Sequence, residues 1–284
     1  MQLSTETAAV VLDSTADLPN ARERHSNWRV VPLYVRLGDA TYRDHVELSA
    51  DEFYVRLRGG ATAATSQPTP GDFEECFRSL DGYERIYCLT VSAKVSGTHE
   101  SALRAAEAIG GARVVVLDSA SASAGEVILA EAIQRRLERG TDDAEIENLV
   151  ERFRREAGLL FTVETLDYLV RGGRIGKAAG LAGNLLNVKP ILTVREGRVE
   201  PVERVRTKQR AVERLIALMR RDLGPDRRLH VAVLHGQAED EARALRGRLG
   251  EAFELVETFT GEIGPVIATH TGPGVVGAAY YPED

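Results

Sequence analysis

Two cysteines in 284 residues, Cys76 and Cys88, are too few for a disulfide-stapled fold, and their spacing does not suit a metal site. One falls in a predicted helix and one in a predicted strand, where a buried reduced thiol is the ordinary state. Basic charge is also scarce: 36 Lys and Arg face 43 Asp and Glu, a net charge of −7. Such a chain has no excess to neutralise phosphates, which argues against nucleic acid as its main partner. No apolar run approaches the roughly 20 residues of a membrane helix. The opening MQLSTETAAVVLDSTADLP has too short an apolar run for a signal peptide, no basic region before it and an Asp inside it. A soluble cytoplasmic protein is expected. Repeats and low-complexity tracts are missing too.

Catalytic signatures are equally thin. No G-x-S-x-G occurs, so a hydrolase elbow has no support. The six histidines (His25, His45, His99, His230, His235 and His270) show neither H-x-x-x-H nor H-E-x-x-H spacing, and no metal is expected. Gly272, Gly274 and Gly277 spell G-x-G-x-x-G, but the dinucleotide fingerprint needs a strand before it, a helix after it and an acid about 20 residues on. The stretch Gly172–Lys177 (GGRIGK) resembles half a P-loop, yet Arg171 and Ala178 stand where Gly and Ser or Thr are required.

What is present is an ordinary soluble composition, 43% hydrophobic and 28% charged, in a chain long enough for two domains. Ala8–Asp13, Val30–Leu37, Ile86–Val91 and Arg113–Asp118 read as strands alternating with helices, the pattern of a parallel sheet with covered faces. Ser49 with Glu52 suggests a capping box opening a helix to Arg58. ATSQPTP, Ala64 to Pro70, reads as irregular because two prolines stand so close. Helices Ala130–Gly140 and Asp142–Arg155 interleave Arg with Glu and Asp and read as solvated faces. The second half changes character. Ile191–Arg195 turns back at Glu196-Gly197 as a hairpin, followed by a helix from Thr207, a strand Leu229–Leu234, a helix Ala238–Leu249 and a strand Phe253–Phe259. The predicted fold is α/β with two domains, a parallel-sheet domain over 1–157 and a mixed-sheet domain over 158–284, with a ligand between them.

Ligands in parallel sheets bind beyond the carboxyl ends of the strands. The loops Asp13–Thr15, Ser92–Thr98 and Asp118–Ser121 therefore fall on one edge and share one mouth. Ser92, Ser96, Gly97 and Thr98 precede a helix whose Ala102, Ala105, Ala106 and Ile109 recur on one face. Small hydroxyl residues and free N–H groups at a helix start suit an anion. The same residues also make a plain Ser96 N-cap with a turn glycine. Arg174, in GGRI, is either a fork for carboxylate or phosphate or a surface ion pair. His270, before a Gly-Pro-Gly turn, is either structural or a donor to an oxyanion. The apolar run Ala178–Leu186 reads first as core, and alternatively as tunnel wall or docking face.

Six motifs resemble the DegV family along nearly the whole chain: DSTADLP, TSQPTP (Thr65–Pro70), S-x-x-x-S-G-T-x-x-S-A (Ser92–Ala102), L-x-Y-L-x-R-G-G-R-I (Leu166–Ile175), LLNVKPIL (Leu185–Leu192) and HTGPGVVG (His270–Gly277). Ala93 and His99 depart from the family's usual serine and Tyr or Phe. The resemblance implies a fatty-acid-binding subunit of bacterial fatty acid kinase. One long-chain fatty acid would lie between the domains, and a separate ATP-dependent kinase subunit would phosphorylate its carboxylate for phospholipid synthesis. By position, Thr65, Ser66, Ser96 and Gly97 would bind the carboxylate, with Ser92 beside them, His270 closing the site and Arg174 serving ligand or kinase. Thr98 and Gly272 complete the expected set. No catalytic residue and no cofactor are implied, and transient membrane contact for lipid exchange fits such a carrier. The competing expectation is an enzyme or binding protein for a small phosphorylated metabolite that uses the same loop.

Overall fold

The computed structural model describes residues 2–181, 188–224 and 227–283. Strand β1 (Ala8–Asp13) leads through a 3-10 turn, Ser14–Ala16, to helix α1 (Ala21–Arg24) and strand β2 (Trp28–Val31). Strands β3 (Tyr34–Leu37) and β4 (Ala40–Arg43), helix α2 (Ala50–Arg58), strand β5 (Ala63–Ser66) and helix α3 (Pro70–Arg78) follow. Next come β6 (Arg85–Thr90), α4 (Thr98–Ala108), β7 (Val114–Asp118), α5 (Ala124–Arg139) and α6 (Asp143–Glu156). The second half contains β8 (Gly158–Thr162), α7 (Asp167–Arg171), a 3-10 segment Gly176–Leu181, β9 (Lys189–Arg195), β10 (Arg198–Val205) and α8 (Lys208–Leu223). It ends with β11 (Arg228–His235), α9 (Glu239–Ala252), β12 (Glu254–Glu262), α10 (Pro265–Thr271) and β13 (Val276–Pro282).

The fold is a two-domain α/β architecture. Its first sheet is parallel, in the order β2-β1-β6-β7. The chain leaves β1 toward β2 and returns to its other side with β6, so the crevice between the loops after β1 and β6 is a topological switch point. The second sheet is mixed, in the order β10-β9-β8-β13-β11-β12, antiparallel throughout except for the β11–β12 pair. The strands of the first sheet all precede residue 119, and those of the second all follow residue 157.

Strand period explains how the mixed sheet serves two layers. Leu160, Val231, Val233, Ala278 and Tyr280 pack with α8 and α9 on one face. Leu159, Phe161, Ala232, Leu234 and Ala279 turn to the opposite face and join the larger core shared with the parallel domain. Helix α5 packs between the two sheets, against β1 and β6 on one side and β11 and β13 on the other.

That position overturns one sequence expectation. Twelve of the sixteen residues of α5 are buried, so Ala130–Gly140 is no solvated face. A helix covered on two sides by sheets must bury even its polar residues, and each finds a partner. Glu131 meets Arg24 and His25, the latter at 3.1 Å, and Gln134 accepts the Trp28 indole N–H at 2.8 Å. Helix α6 keeps the expected pattern, burying Ile146, Leu149, Val150 and Phe153.

Other expectations shift as well. Val30–Leu37 is two strands in different sheets, because Pro32 breaks the run. ATSQPTP is regular at its start: β5 pairs with β3 in a small antiparallel sheet, β4-β3-β5, and the prolines act only beyond it. The capping box at Ser49 is half made, since Glu52 turns to Arg56. The complete box is Thr69 with Asp72, at the start of α3. Ser96 is not the N-cap of α4; Gly97 holds that place, while Ser96 Oγ accepts the Thr98 N–H at 3.2 Å. The rejected glycine motifs lack the required context: Gly272 follows a helix and Gly277 lies inside β13. The Ala178–Leu186 run and the start of LLNVKPIL fall largely outside the described residues.

Burial ranks the expected effects of truncation. Phe77, fully buried against Phe73 behind the parallel sheet, should cost about 3–5 kcal/mol when changed to Ala. Val55→Ala, at a position 61% exposed on α2, should stay within about 0.5 kcal/mol, both variants being measured by urea titration.

Candidate ligand-binding site

A slot opens between the carboxyl edge of the parallel sheet and the inner face of the mixed sheet, with about 960 Å³ of free space when its mouth is included. All three predicted loops reach it, through Thr15 after β1, Ser96 after β6 and Ser121 and Ser123 after β7. Opposite them stand Leu159 and Phe161 of β8, Val194 of β9, Leu234 of β11 and Val275 before β13. The long wall is apolar because every second residue of these strands points the same way. Thr65, Ser96, Arg174 and His270 form one polar cluster on the lining, and Thr15, Ser121, Ser123 and Thr271 add further hydroxyls to it.

Local structure accounts for that gathering. Thr65 comes from β5, and His270 from the last turn of α10, which packs against β5. Thr65 Oγ1 and His270 Nε2 lie 2.9 Å apart, one hydrogen bond joining residues 205 positions apart in sequence. Arg174 follows α7 and is tethered by its own surroundings: Nε donates to Val95 O at 3.1 Å and Nη1 to Gly172 O at 2.7 Å. Both bonds end on main-chain carbonyls, and among the described residues no carboxylate pairs with the guanidinium. Ser96 Oγ shares a hydrogen bond with Thr98 Oγ1 at 2.8 Å.

The remaining sequence candidates stand off the slot. Ser66 is exposed, because neighbouring residues of a strand face opposite sides and Thr65 takes the inner one. Ser92 is buried and donates to Gly197 O at 2.9 Å, fastening the β9–β10 turn to the loop after β6. Gly97 lies under the Gln67 side chain and Thr98 supports Ser96 from behind. Gly272 ends α10 with a φ of 72°, a conformation that glycine adopts without strain. These residues shape the loops rather than line the cavity.

Electrostatics at the polar cluster are set by burial. His270 is pushed down to about 4, chiefly by burial and further by the positive Arg174. The ring is therefore neutral at pH 7. Its Nδ1 is buried without a hydrogen-bond partner among the described residues, and a Cβ on Gly172 would lie 2.1 Å from it. A catalytic histidine is normally oriented by a third group on its second nitrogen. This one has none, and a ring so hard to protonate is a poor general base.

Sequence reasoning missed the buried acids below the slot. Thr15 Oγ1 lies 2.6 Å from Asp13 Oδ1 and 2.7 Å from Glu126 Oε1. One hydroxyl has one hydrogen to give, so one of the two carboxyls must donate to it. Burial raises Asp13 to about 6 and Glu126 well above its ordinary value. Asp13 also accepts the N–H groups of Thr15 and Val91, so Glu126 is the one that holds a proton. Asp13 was legible as a strand end, whereas Glu126 sits in a helix whose burial only the tertiary fold reveals. Among the described residues no three His, Cys, Asp or Glu side chains converge as metal ligands, and no helix is long and apolar enough to cross a membrane.

The depressed His270 value has a consequence for stability. Between its ordinary 6.5 and about 4 the unfolded chain binds a proton at this ring and the folded chain does not. Stability at this group is therefore full above pH 6.5 and falls as pH drops through that window. Urea unfolding should show wild type losing stability from pH 7 to pH 5, and His270→Gln losing less.

Comparison with known proteins agrees with this architecture. A DegV domain-containing protein of Halalkalibacterium halodurans is 34% identical over 278 residues, covering 97% of this chain and 98% of its own. A fatty acid-binding protein of Thermotoga maritima is 33% identical, covering 94% and 95%. Among solved structures, a fatty-acid-binding DegV family protein of Thermus thermophilus superposes with a TM-score of 0.92 at 40% identity, over 98% of this chain and 100% of its own. DegV of Bacillus subtilis, described as a fatty acid binding protein, gives 0.85 at 28% identity, over 98% and 100%. The sequence profile of the DegV family, described as "Uncharacterised protein, DegV family", matches residues 7–283, and the chain belongs to that family.

Proposed function

We propose that this protein binds one long-chain fatty acid in the slot and presents the carboxylate to a separate ATP-dependent fatty acid kinase. The observation that carries this reading is the polarity of the slot. A long apolar wall shares its lining with a polar cluster of two hydroxyls, one guanidinium and one neutral imidazole. An acyl chain matches the wall and a carboxylate matches the cluster. Relatives described as fatty-acid-binding support the same assignment.

Magnitudes favour a lipid over a small phosphorylated metabolite. About 0.8 kcal/mol per buried methylene gives roughly 12 kcal/mol for a chain of fifteen, before the cost of association. A phosphorylated metabolite would leave most of the apolar wall unused, and only one guanidinium would balance its charge. The carboxylate needs donors because an unpaired charge in a partly dry site is costly. Thr65, Ser96 and Arg174 supply them, and His270, carrying its proton on Nε2, would be a further donor once the ligand displaces Thr65 from that bond. Ser66, Gly97, Thr98 and Gly272 act by holding these residues and the loops in place.

On this reading the protein is a carrier and does no chemistry alone. The kinase would transfer phosphoryl from ATP: a carboxylate oxygen bonds to the γ-phosphorus and ADP leaves with the bridging oxygen. Acyl phosphate formed in this way would feed phospholipid synthesis, in a cytoplasmic protein that meets the membrane only to exchange lipid. The domain boundary falls near residue 157, between α6 and β8. The slot itself requires no cofactor for binding.

Protein purified from a bacterial host should release an acid of sixteen to eighteen carbons, seen by denaturing mass spectrometry; phosphorylated metabolites alone would count against the lipid reading. Ser96→Ala should weaken fatty acid binding about tenfold, the cost of one hydrogen bond to a charged group, and should lower stability by about 1 kcal/mol because the buried Thr98 loses the oxygen that its N–H meets. Arg174→Ala should depress kinase-coupled turnover more than binding, because its charge also faces the incoming phosphate; equal losses would assign it to the ligand alone.

A further inference from the structure

The loop after β1 does more than lend Thr15 to the slot. Asp17, four residues beyond the strand, has a φ of 55° and is only 3% exposed. Both of its carboxylate oxygens are engaged. Oδ2 accepts the Ser123 hydroxyl at 2.5 Å, and Oδ1 accepts the Gly264 N–H at 2.8 Å. The Nε2 of His45 lies 3.7 Å from Oδ1. One side chain thus joins the start of α5, the loop beyond β4 and the residue that opens α10.

Gly264 is the cap of α10, six residues before His270. A Cβ there would lie 2.1 Å from His45 Nε2 and 3.1 Å from Asp17 Oδ1, so a bare α-carbon is what lets the carboxylate reach the N–H. The helix is a short stiff rod. Pro265 occupies its first turn, and Thr269 Oγ1 donates back to Pro265 O at 2.8 Å. Where Gly264 sits therefore decides where His270 sits. Tyr54 hydroxyl to Ile263 O at 3.2 Å and Ile263 N–H to His235 O at 2.7 Å act on the residue before the cap, while the buried Asp44 carboxyl faces the Val266 main chain and α10 packs on α7 and β5. Negative charge at a helix start also opposes the partial positive charge collected there.

We propose that Asp17 is the positioning residue of the polar cluster of the slot. By holding Gly264 from the N-terminal domain it seats α10, and the seat of α10 sets the meeting of His270 with Thr65. The inference rests on the fatty-acid reading of the slot and adds to it a residue that never touches the ligand.

The test compares two ligands with the same chain, palmitic acid and hexadecanol, on the full-length protein. Wild type should prefer the acid. Asp17→Ala removes both acceptor oxygens and so frees the Gly264 N–H, and the acid should lose about tenfold in affinity while the alcohol stays within about twofold. A merely structural role would weaken both ligands alike. Should Asp17→Ala fail to fold, Gly264→Ala, whose Cβ would push the start of α10 away from His45 and Asp17, should lower the acid-to-alcohol ratio in the same direction. An unchanged ratio in the folded variant, or equal loss in both arms, overturns the role of Asp17. A wild-type protein with no preference for the acid overturns the fatty-acid reading instead.

Discussion

Helix α5 lies between two sheets and is buried along most of its length, and the rest of the molecule is arranged around that constraint. Because it packs on β1 and β6 on one side and on β11 and β13 on the other, the sheets cannot close directly on each other. The gap beyond its N-terminus is the slot, and Ser121, Ala122, Ser123 and Ala124 form part of the lining. A helix in this position has no solvated stripe on which to place polar groups. Glu131 and Gln134 are satisfied by α1 and β2, and Glu126 is held neutral beside Thr15. The same packing that builds the core therefore leaves a cavity and sets its polarity.

Within that cavity, burial and charge divide the work. The apolar wall supplies affinity without direction, since hydrophobic burial scales with area and not with orientation. On the proposed reading direction would come from the polar cluster of Thr65, Ser96, Arg174 and His270. On the proposed reading a neutral His270 suits a site that would hold an anion and leave its oxygen reactive, for a protonated ring beside Arg174 would add a second full charge. The positive neighbour and the low polarity of the surroundings both act against that second charge. Hydrogen bonds across the slot, Thr65 to His270 and Ser92 to Gly197, tie the two domains at the mouth.

Much of this was legible in the chain, for a clear reason. Short apolar runs such as Leu159–Val163 and strand ends such as Asp13 report local pattern, and local pattern places loops on an edge. Thr65, Ser96, Arg174 and His270 are legible as candidates in the sequence motifs, and all four line the slot. Ser66 was misjudged because strand β5 is too short and too proline-bound to show its alternation. Glu126 and Asp17 were invisible as site residues for a different reason. Each acts through a partner more than 100 positions away, Thr15 in one case and Gly264 in the other. Nothing in a local window marks a helix as sandwiched or a carboxylate as a strut.

The account depends most on the direction in which an acyl chain would enter. Crystals grown with a fatty acid carrying bromine on its terminal carbon would locate that carbon by anomalous scattering. The account predicts a single bromine peak deep in the slot, against Leu159 and Val194, with the carboxylate within hydrogen-bonding distance of Thr65 and His270. A bromine peak at the Thr65–His270 end, or none inside the slot, would contradict it.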